Sequence, residues 1–231
     1  MIQQEPRGFM LSFDDGPLPV KTEAVLDILS RYTGEDGLPV RAGFFMVGDA
    51  PQGFWAGRRY FAPYEVWIHK GSMRRHPALV ARVLDEGHVI GNHTAHHIWA
   101  RWPHYRQLPT VREEILGWED AAMSAGWDPA ESPRLFRAPY LLNTSTMHAA
   151  AIQLGYQLIG GYTVGDAAPG NGLSAIERHV QRIMHTASDQ PALLIFHDIL
   201  PMTVRHLGVI IEGLQRQGHQ LQHFDPAGFH D

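Results

Sequence analysis

The chain has 231 residues, 44% of them hydrophobic and 19% charged, with a net charge of −5. Those proportions fit a globular protein able to bury a sizeable core, give no electrostatic case for a nucleic-acid partner, and leave no stretch near the ~20 apolar residues of a transmembrane span. Cysteine is absent, which excludes disulfides and thiolate metal sites.

Strand and helix signals alternate along the chain. The apolar run Gly8-Phe9-Met10-Leu11 leads into Ser12-Phe13 and two adjacent carboxylates, Asp14 and Asp15, which Gly16-Pro17 stops. That pattern predicts a buried strand with both acids at its C-terminal tip. Neighbouring carboxylates repel, and burying them costs several kcal/mol. A bound cation would offset that cost by taking one Asp as ligand and leaving the other as a base; a solvated Asp-Asp turn is the plainer alternative. Val20, Ala24, Val25, Ile28, Leu29 and Tyr32 repeat at helical spacing, and Val40 to Val47 reads as a second strand. Residues 49–75 are irregular and rich in aromatics. Pro77 opens a helix that Gly87 stops, and His88-Val89-Ile90 is a short strand. Thr110 with Glu113, and later Ser174 with Glu177, are expected to form capping boxes. Arg134–Arg137 is a strand, Met147–Leu154 a helix, Gln157–Val164 a strand and Ala192–Phe196 a buried strand. Leu207 to Leu214 forms the last helix, stopped by Gly218, and His219–Phe224 the last strand. With no repeat or linker, the chain reads as one domain over residues 1–231, its core about 8–225. Alternation of this kind implies an α/β fold with a parallel sheet, open or closed as a barrel.

Asp14-Asp15, His93, Arg137 and His197-Asp198 each follow a strand signal directly. In a parallel barrel the C-terminal strand ends share one rim, so residues far apart in sequence converge there. His93 and His97 are four apart, a spacing that points both imidazoles the same way on a helical turn. With Asp15 they make a three-ligand set with open positions, suited to zinc or another divalent transition metal such as Co, Ni or Mn. His96 is the alternative to His97. A polar, histidine-rich turn is the plainer reading, since most of the 15 histidines are expected on the surface or in packing.

Ser-Phe-Asp-Asp-Gly-Pro at 12–17, His-Thr-x-x-His at 93–97, Arg-Ala-Pro-Tyr at 137–140 and Leu-Ile-Phe-His-Asp at 194–198 occur in this order. Together they resemble the signature motifs of the polysaccharide deacetylases, the NodB-homology or carbohydrate esterase family 4 domain. The resemblance spans about residues 8–225. It implies a distorted, seven-stranded TIM-like (β/α) barrel and metal-assisted removal of acetyl groups from a sugar. By motif match, Asp14 is the general base, and Asp15, His93 and His97 bind the metal. The metal would polarise the acyl carbonyl and acidify a water. Arg137 would hold and orient Asp14 through a charge-assisted hydrogen bond, the backbone N–H of Tyr140 would stabilise the oxyanion, and His197 would protonate the leaving group. Asp198 is expected to cap the turn that follows it.

One motif departs from the family. Where an Asp-Trp pair usually lines the pocket and tunes the catalytic histidine, this chain has Asp166-Ala167-Ala168. Asp166 is either the acidic partner of His197 or the start of a turn. The aromatics Trp55, Tyr60, Phe61, Tyr64 and Trp67 could build one wall of a glycan groove, with Trp55 and Trp67 as stacking platforms. Trp99, Trp102 and Tyr105 are expected mainly to pack, and Arg58 and Arg59 to be solvated. The expected partner is an acetylated glycan or small acetylated sugar. A deformylase or amidase on a small molecule or lipid-linked sugar would use the same site, and a catalytically dead glycan-binding domain would keep only part of it. Met1 is followed by Gln3, Gln4 and Glu5 with no apolar segment, so no signal peptide is read. The compartment stays open, with an extracytoplasmic location implied by the resemblance if a targeting segment has been removed.

Overall fold

Strand parity organises the molecule. In the computed structural model, which describes residues 7–49, 71–168, 170–186 and 190–228, β1 spans Gly8–Asp14. Its odd residues, Phe9, Leu11 and Phe13, join the main apolar core under the helices. Its even residues, Met10, Ser12 and Asp14, climb the opposite, concave face from an apolar floor to the rim. Period-2 alternation separates the two sets. Fully burying each of the apolar three stabilises the fold by roughly 1.5–3 kcal/mol.

The remaining strands are β2 (Gly43–Met46), β3 (Val89–Asn92), β4 (Leu135–Phe136), β5 (Gln157–Leu158), β6 (Tyr162–Thr163), β7 (Ala192–His197) and β8 (Gln220–Leu221). The hydrogen-bonded path runs β5-β4-β3-β2-β1-β7-β6, with β8 added beside the start of β1. Every pairing is parallel. Helices α1 (Lys21–Leu29), α2 (Pro77–Asp85), α3 (Leu108–Ser124), α4 (Ser145–Gln153), α5 (Leu173–Met184) and α6 (Pro201–Arg216) accompany this sheet. It is the curled parallel sheet of a distorted (β/α) barrel, as expected, with seven strands on the main path and β8 as an eighth beside β1. Among the described residues β5 and β6 do not pair, so the barrel is open between them.

Several local expectations give way to stronger constraints. The single strand over 157–164 is two short strands, because the chain turns at Gly160-Gly161. Gly161 has φ 147°, and a β-carbon there would press on Ile195 and the Leu193 carbonyl. Helix α3 begins before Thr110, with Gln107 at its N-cap and a proline in its first turn. Proline's fixed φ starts the helix without needing a side-chain cap. Gly172, not Ser174, precedes α5. Trp55, Tyr60, Phe61, Tyr64, Trp67, Arg58 and Arg59 lie outside the described residues.

Register carries the rim. Asp14 pairs with His197 across β1 and β7, and Met46 with Asn92 across β2 and β3. The Arg137 N–H donates to the Asn92 carbonyl at 3.0 Å, just past the end of β4. Asp14, Asp15, His93, Arg137 and His197 are thereby set at adjacent C-terminal strand ends, as the strand-end argument requires.

Candidate active site

The acids come first. Asp14 Oδ1 accepts from Arg137 Nη1 at 2.6 Å, and both side chains are buried. The same Nη1 donates to Ser12 Oγ at 3.0 Å, while Nε donates to the Ile159 carbonyl and Nη2 to the Gly160 carbonyl, each at 3.1 Å. The guanidinium plane also sits 3.8 Å over the Phe45 ring. Arg137 thus fills the barrel interior beneath the rim and ties β1 to the open edge after β5. Its charge is the direct partner of Asp14.

Asp15, with φ 77°, turns the chain out of β1. Its Oδ1 lies 3.3 Å from His93 Nε2 and 3.0 Å from His97 Nε2. Burial works to raise the Asp15 pKa, but the facing imidazoles, His97 above all and then His93, outweigh it and hold the carboxyl well below 3.8. Burial lowers His97 below 6.5 despite the attraction of Asp15. A carboxylate and a neutral imidazole are the states that ligate metal. His93 Nδ1–H donates to the Arg137 carbonyl at 2.8 Å, which fixes the tautomer that turns Nε2 toward Asp15. One ligand atom from each of the three residues lies within 4.8 Å of the others. This buried N,N,O donor set could hold a divalent ion, and the residues fit one.

His93 and His97 do not meet on a helical turn. The segment is a loop with left-handed residues at Thr94 (φ 65°) and His97 (φ 49°). Asn92 shapes it: Oδ1 accepts the Thr94 N–H at 2.9 Å, while Nδ2 donates to the Ile115 carbonyl and to Tyr156 Oη. The rings still converge, with centroids 5.0 Å apart. His96 is exposed and bonded to Glu114, apart from the cluster of Asp15, His93 and His97.

On the opposite side of Asp14 stands His197. Its Nδ1–H donates to Asp166 Oδ1 at 2.9 Å and its backbone N–H to Oδ2 at 2.8 Å. Burial opposes the imidazolium, but the Asp166 carboxylate, helped by Asp15 and Asp14, raises the His197 pKa to about 10. Both readings of Asp166 hold: it pairs with His197, and it lies in a turn closed by the Ala168 N–H on the Gly165 carbonyl. The following Ala167 packs among Leu18, Val47, Ile199 and Leu200. Tyr140 sits at φ 58°, ψ 14°, in a turn closed by the Leu141 N–H on the Ala138 carbonyl. Its ring meets the edges of His97 and Trp99, each at 4.6 Å. Asp198 does not cap the next turn. It is buried between strand β7 and helix α1, where Oδ2 accepts from Thr22 Oγ1 at 2.5 Å. A β-carbon on Gly16 would collide with it, which requires glycine there. Burial pushes the Asp198 pKa up to about 7.

The chain matches the family described as polysaccharide deacetylase over residues 2–159. It belongs to the polysaccharide deacetylase family. Two relatives of this family align over most of both chains. A peptidoglycan-N-acetylglucosamine deacetylase of Bacillus cereus is 30% identical, covering 91% of this chain and 83% of the relative. A chitooligosaccharide deacetylase of a Bradyrhizobium species is 29% identical, covering 93% and 88%. Among solved structures, a family 4 acetyl xylan esterase from Clostridium thermocellum, in complex with a cobalt ion, has the same fold. It has TM-score 0.65 and 24% identity, and the match covers 92% of this chain and 86% of that one.

Sequence reasoning does not single out Asn92, which holds the Thr94 N–H, or Ser12, which accepts from Arg137; the signal for each is a polar residue in an apolar run.

Proposed function

We propose that this protein is a metal-dependent deacetylase of N-acetylated glycans, with glucosamine-containing polymers or oligomers as substrates. The observation that carries the reading is the placement of a base beside one buried cation-ready triad and an acid across from it, on one barrel rim. The relatives' names, peptidoglycan-N-acetylglucosamine deacetylase and chitooligosaccharide deacetylase, support the substrate class. Such a polymer would place the protein outside the cytoplasmic membrane, although no described helix is long and apolar enough to cross one.

Asp15, His93 and His97 would hold the ion, with zinc, cobalt, nickel and manganese as the ions suited to that donor set. When bound, the ion supplies Lewis acidity to the acyl carbonyl and acidifies a water. Asp14, oriented by Arg137, takes the proton from the attacking water. The Tyr140 backbone N–H donates to the developing oxyanion. His197, held as an imidazolium by Asp166, gives its proton to the departing amine as the C–N bond breaks. Free sugar amine and acetate result. A pure binding module has no use for a base and an acid facing each other, which sets that alternative aside.

The test is acetate release from chitin oligomers, peptidoglycan and acetylated xylan, with metal content measured in the same samples. Release from the N-acetyl substrates is the expected outcome. Hydrolysis of a formamide or a small amide with no acetate from any glycan would move the assignment to the deformylase or amidase alternative.

A further inference from the structure

Thr203 lies in the first turn of α6, six residues past His197, and no step above uses it. Its side chain is 1% exposed, on a helix face that otherwise supplies Leu207, Ile210, Ile211 and Leu214 to the apolar core. A valine would fill the same volume. A hydroxyl buried there is unfavourable unless it is bonded. It is bonded: Thr203 Oγ1 donates to Asp166 Oδ2 at 2.6 Å.

The geometry points to a role. Asp166 accepts from His197 twice and from Thr203 once. Among the described residues, Oδ1 receives only the imidazole Nδ1–H, at 2.9 Å. Oδ2 receives the His197 backbone N–H at 2.8 Å and the Thr203 hydroxyl at 2.6 Å. Asp166 itself stands on a loop just after Gly165 (φ 81°), not on a strand. A carboxylate on such a loop can pivot about its Cβ–Cγ bond. Both other donors belong to the residue being positioned, so they cannot by themselves set its orientation. Thr203 ties the carboxylate to α6, a rigid element packed on the core.

Resting on the deacetylase reading, we propose that Thr203 is a positioning residue for the acid. By pinning Asp166, it fixes the imidazole orientation from which His197 delivers its proton to the leaving nitrogen. The second-layer hydroxyl therefore governs how well the enzyme cleaves poor leaving groups. An amide nitrogen cannot leave without a proton, whereas an activated phenolate can.

The experiment compares Thr203→Val, Thr203→Ser and His197→Ala with wild type, metal-loaded, on an N-acetylglucosamine oligomer and on an aryl acetate, with melting temperatures alongside. Thr203→Val should lower kcat on the oligomer by about tenfold to hundredfold, a fraction of the whole acid contribution. Its loss on the ester should be at least about tenfold smaller, and Thr203→Ser should recover most of the difference. In metal-free protein, the downfield proton resonance of His197 Nδ1–H should shift in Thr203→Val and return in Thr203→Ser. Equal losses on the two substrates, no loss, or a serine variant as impaired as the valine one would overturn the inference. If wild type releases no acetate from the oligomer, or His197→Ala shows no leaving-group selectivity, the deacetylase reading fails instead. Selectivity in His197→Ala with none in Thr203→Val sinks only the role of Thr203.

Discussion

Replacing Arg137 with methionine isolates what the buried guanidinium does. Methionine keeps most of the apolar stem but removes the pair to Asp14 at 2.6 Å, the bond to Ser12, and the bonds to the Ile159 and Gly160 carbonyls. Asp14, only 4% exposed, is left without its cation. Breaking a buried pair from one side costs about 3–5 kcal/mol. Each stranded carbonyl adds about 1–3 kcal/mol, partly recovered because water can enter from the rim. The expected loss for Arg137→Met is therefore at least about 3–5 kcal/mol, enough to be plain against a typical stability of ~5–15 kcal/mol. Arg137→Lys should lose less, since it keeps the charge but not the fork. In the double variant Asp14→Asn/Arg137→Met the stranded charge is gone, so its destabilisation should fall short of the sum of the single losses by about 2 kcal/mol. Urea denaturation of metal-free protein at neutral pH, followed by circular dichroism, reads all four. If Arg137→Met unfolds within about 1 kcal/mol of wild type, or the two single losses simply add, the account of the barrel interior is wrong.

Asp14→Asn should keep its metal and lose about 10²–10⁴-fold in turnover; metal lost in Asp14→Asn but kept in Asp15→Asn would show the two roles exchanged. His88 is buried, accepts the Ala42 N–H on Nδ1, and burial together with the Arg82 charge pushes its pKa down to about 4. Its neutral form therefore stabilises the fold above pH 6.5, and that contribution, about 3 kcal/mol, is lost as pH falls toward 4. Wild type should thus lose stability over this range more steeply than His88→Gln; parallel curves would refute it. Asp198 runs the other way, because burial raises its pKa from 3.8 to about 7. Its contribution, about 4 kcal/mol, is complete below pH 4 and gone above pH 7. Metal-free Asp198→Asn should gain on wild type as pH rises through that window, and a constant difference would contradict this.

The strand ends were legible because a parallel strand announces itself by an apolar run, and the fold brings all such ends to one rim. The convergence of Asp14, Asp15, His93, Arg137 and His197 follows from that pattern, while the roles given to them rest on the family resemblance. Details that depend on partners remote in sequence were not legible. The loop at 93–97 brings its imidazoles together by left-handed turns at Thr94 and His97, which Asn92 holds through Ile115 and Tyr156; spacing alone suggested a helix. The capping boxes at Thr110 and Ser174 were plausible locally, but an earlier proline and a glycine set those helix starts. Asp166 was ambiguous because its partners, His197 and Thr203, lie 31 and 37 residues away. Asp198 looked like a cap because Thr22, which donates to its Oδ2, comes from the other end of the chain.

The most direct test of the central claim is a metal titration followed by acetate release. Chelator-stripped wild type is titrated with Zn²⁺ or Co²⁺ while acetate released from N-acetylglucosamine oligomers is measured. Activity should be absent at the start, rise with added ion, and level off at one equivalent per chain, and Asp15→Ala should stay inactive throughout. Full acetate release from the stripped protein, or an Asp15→Ala variant that titrates like wild type, would contradict the account.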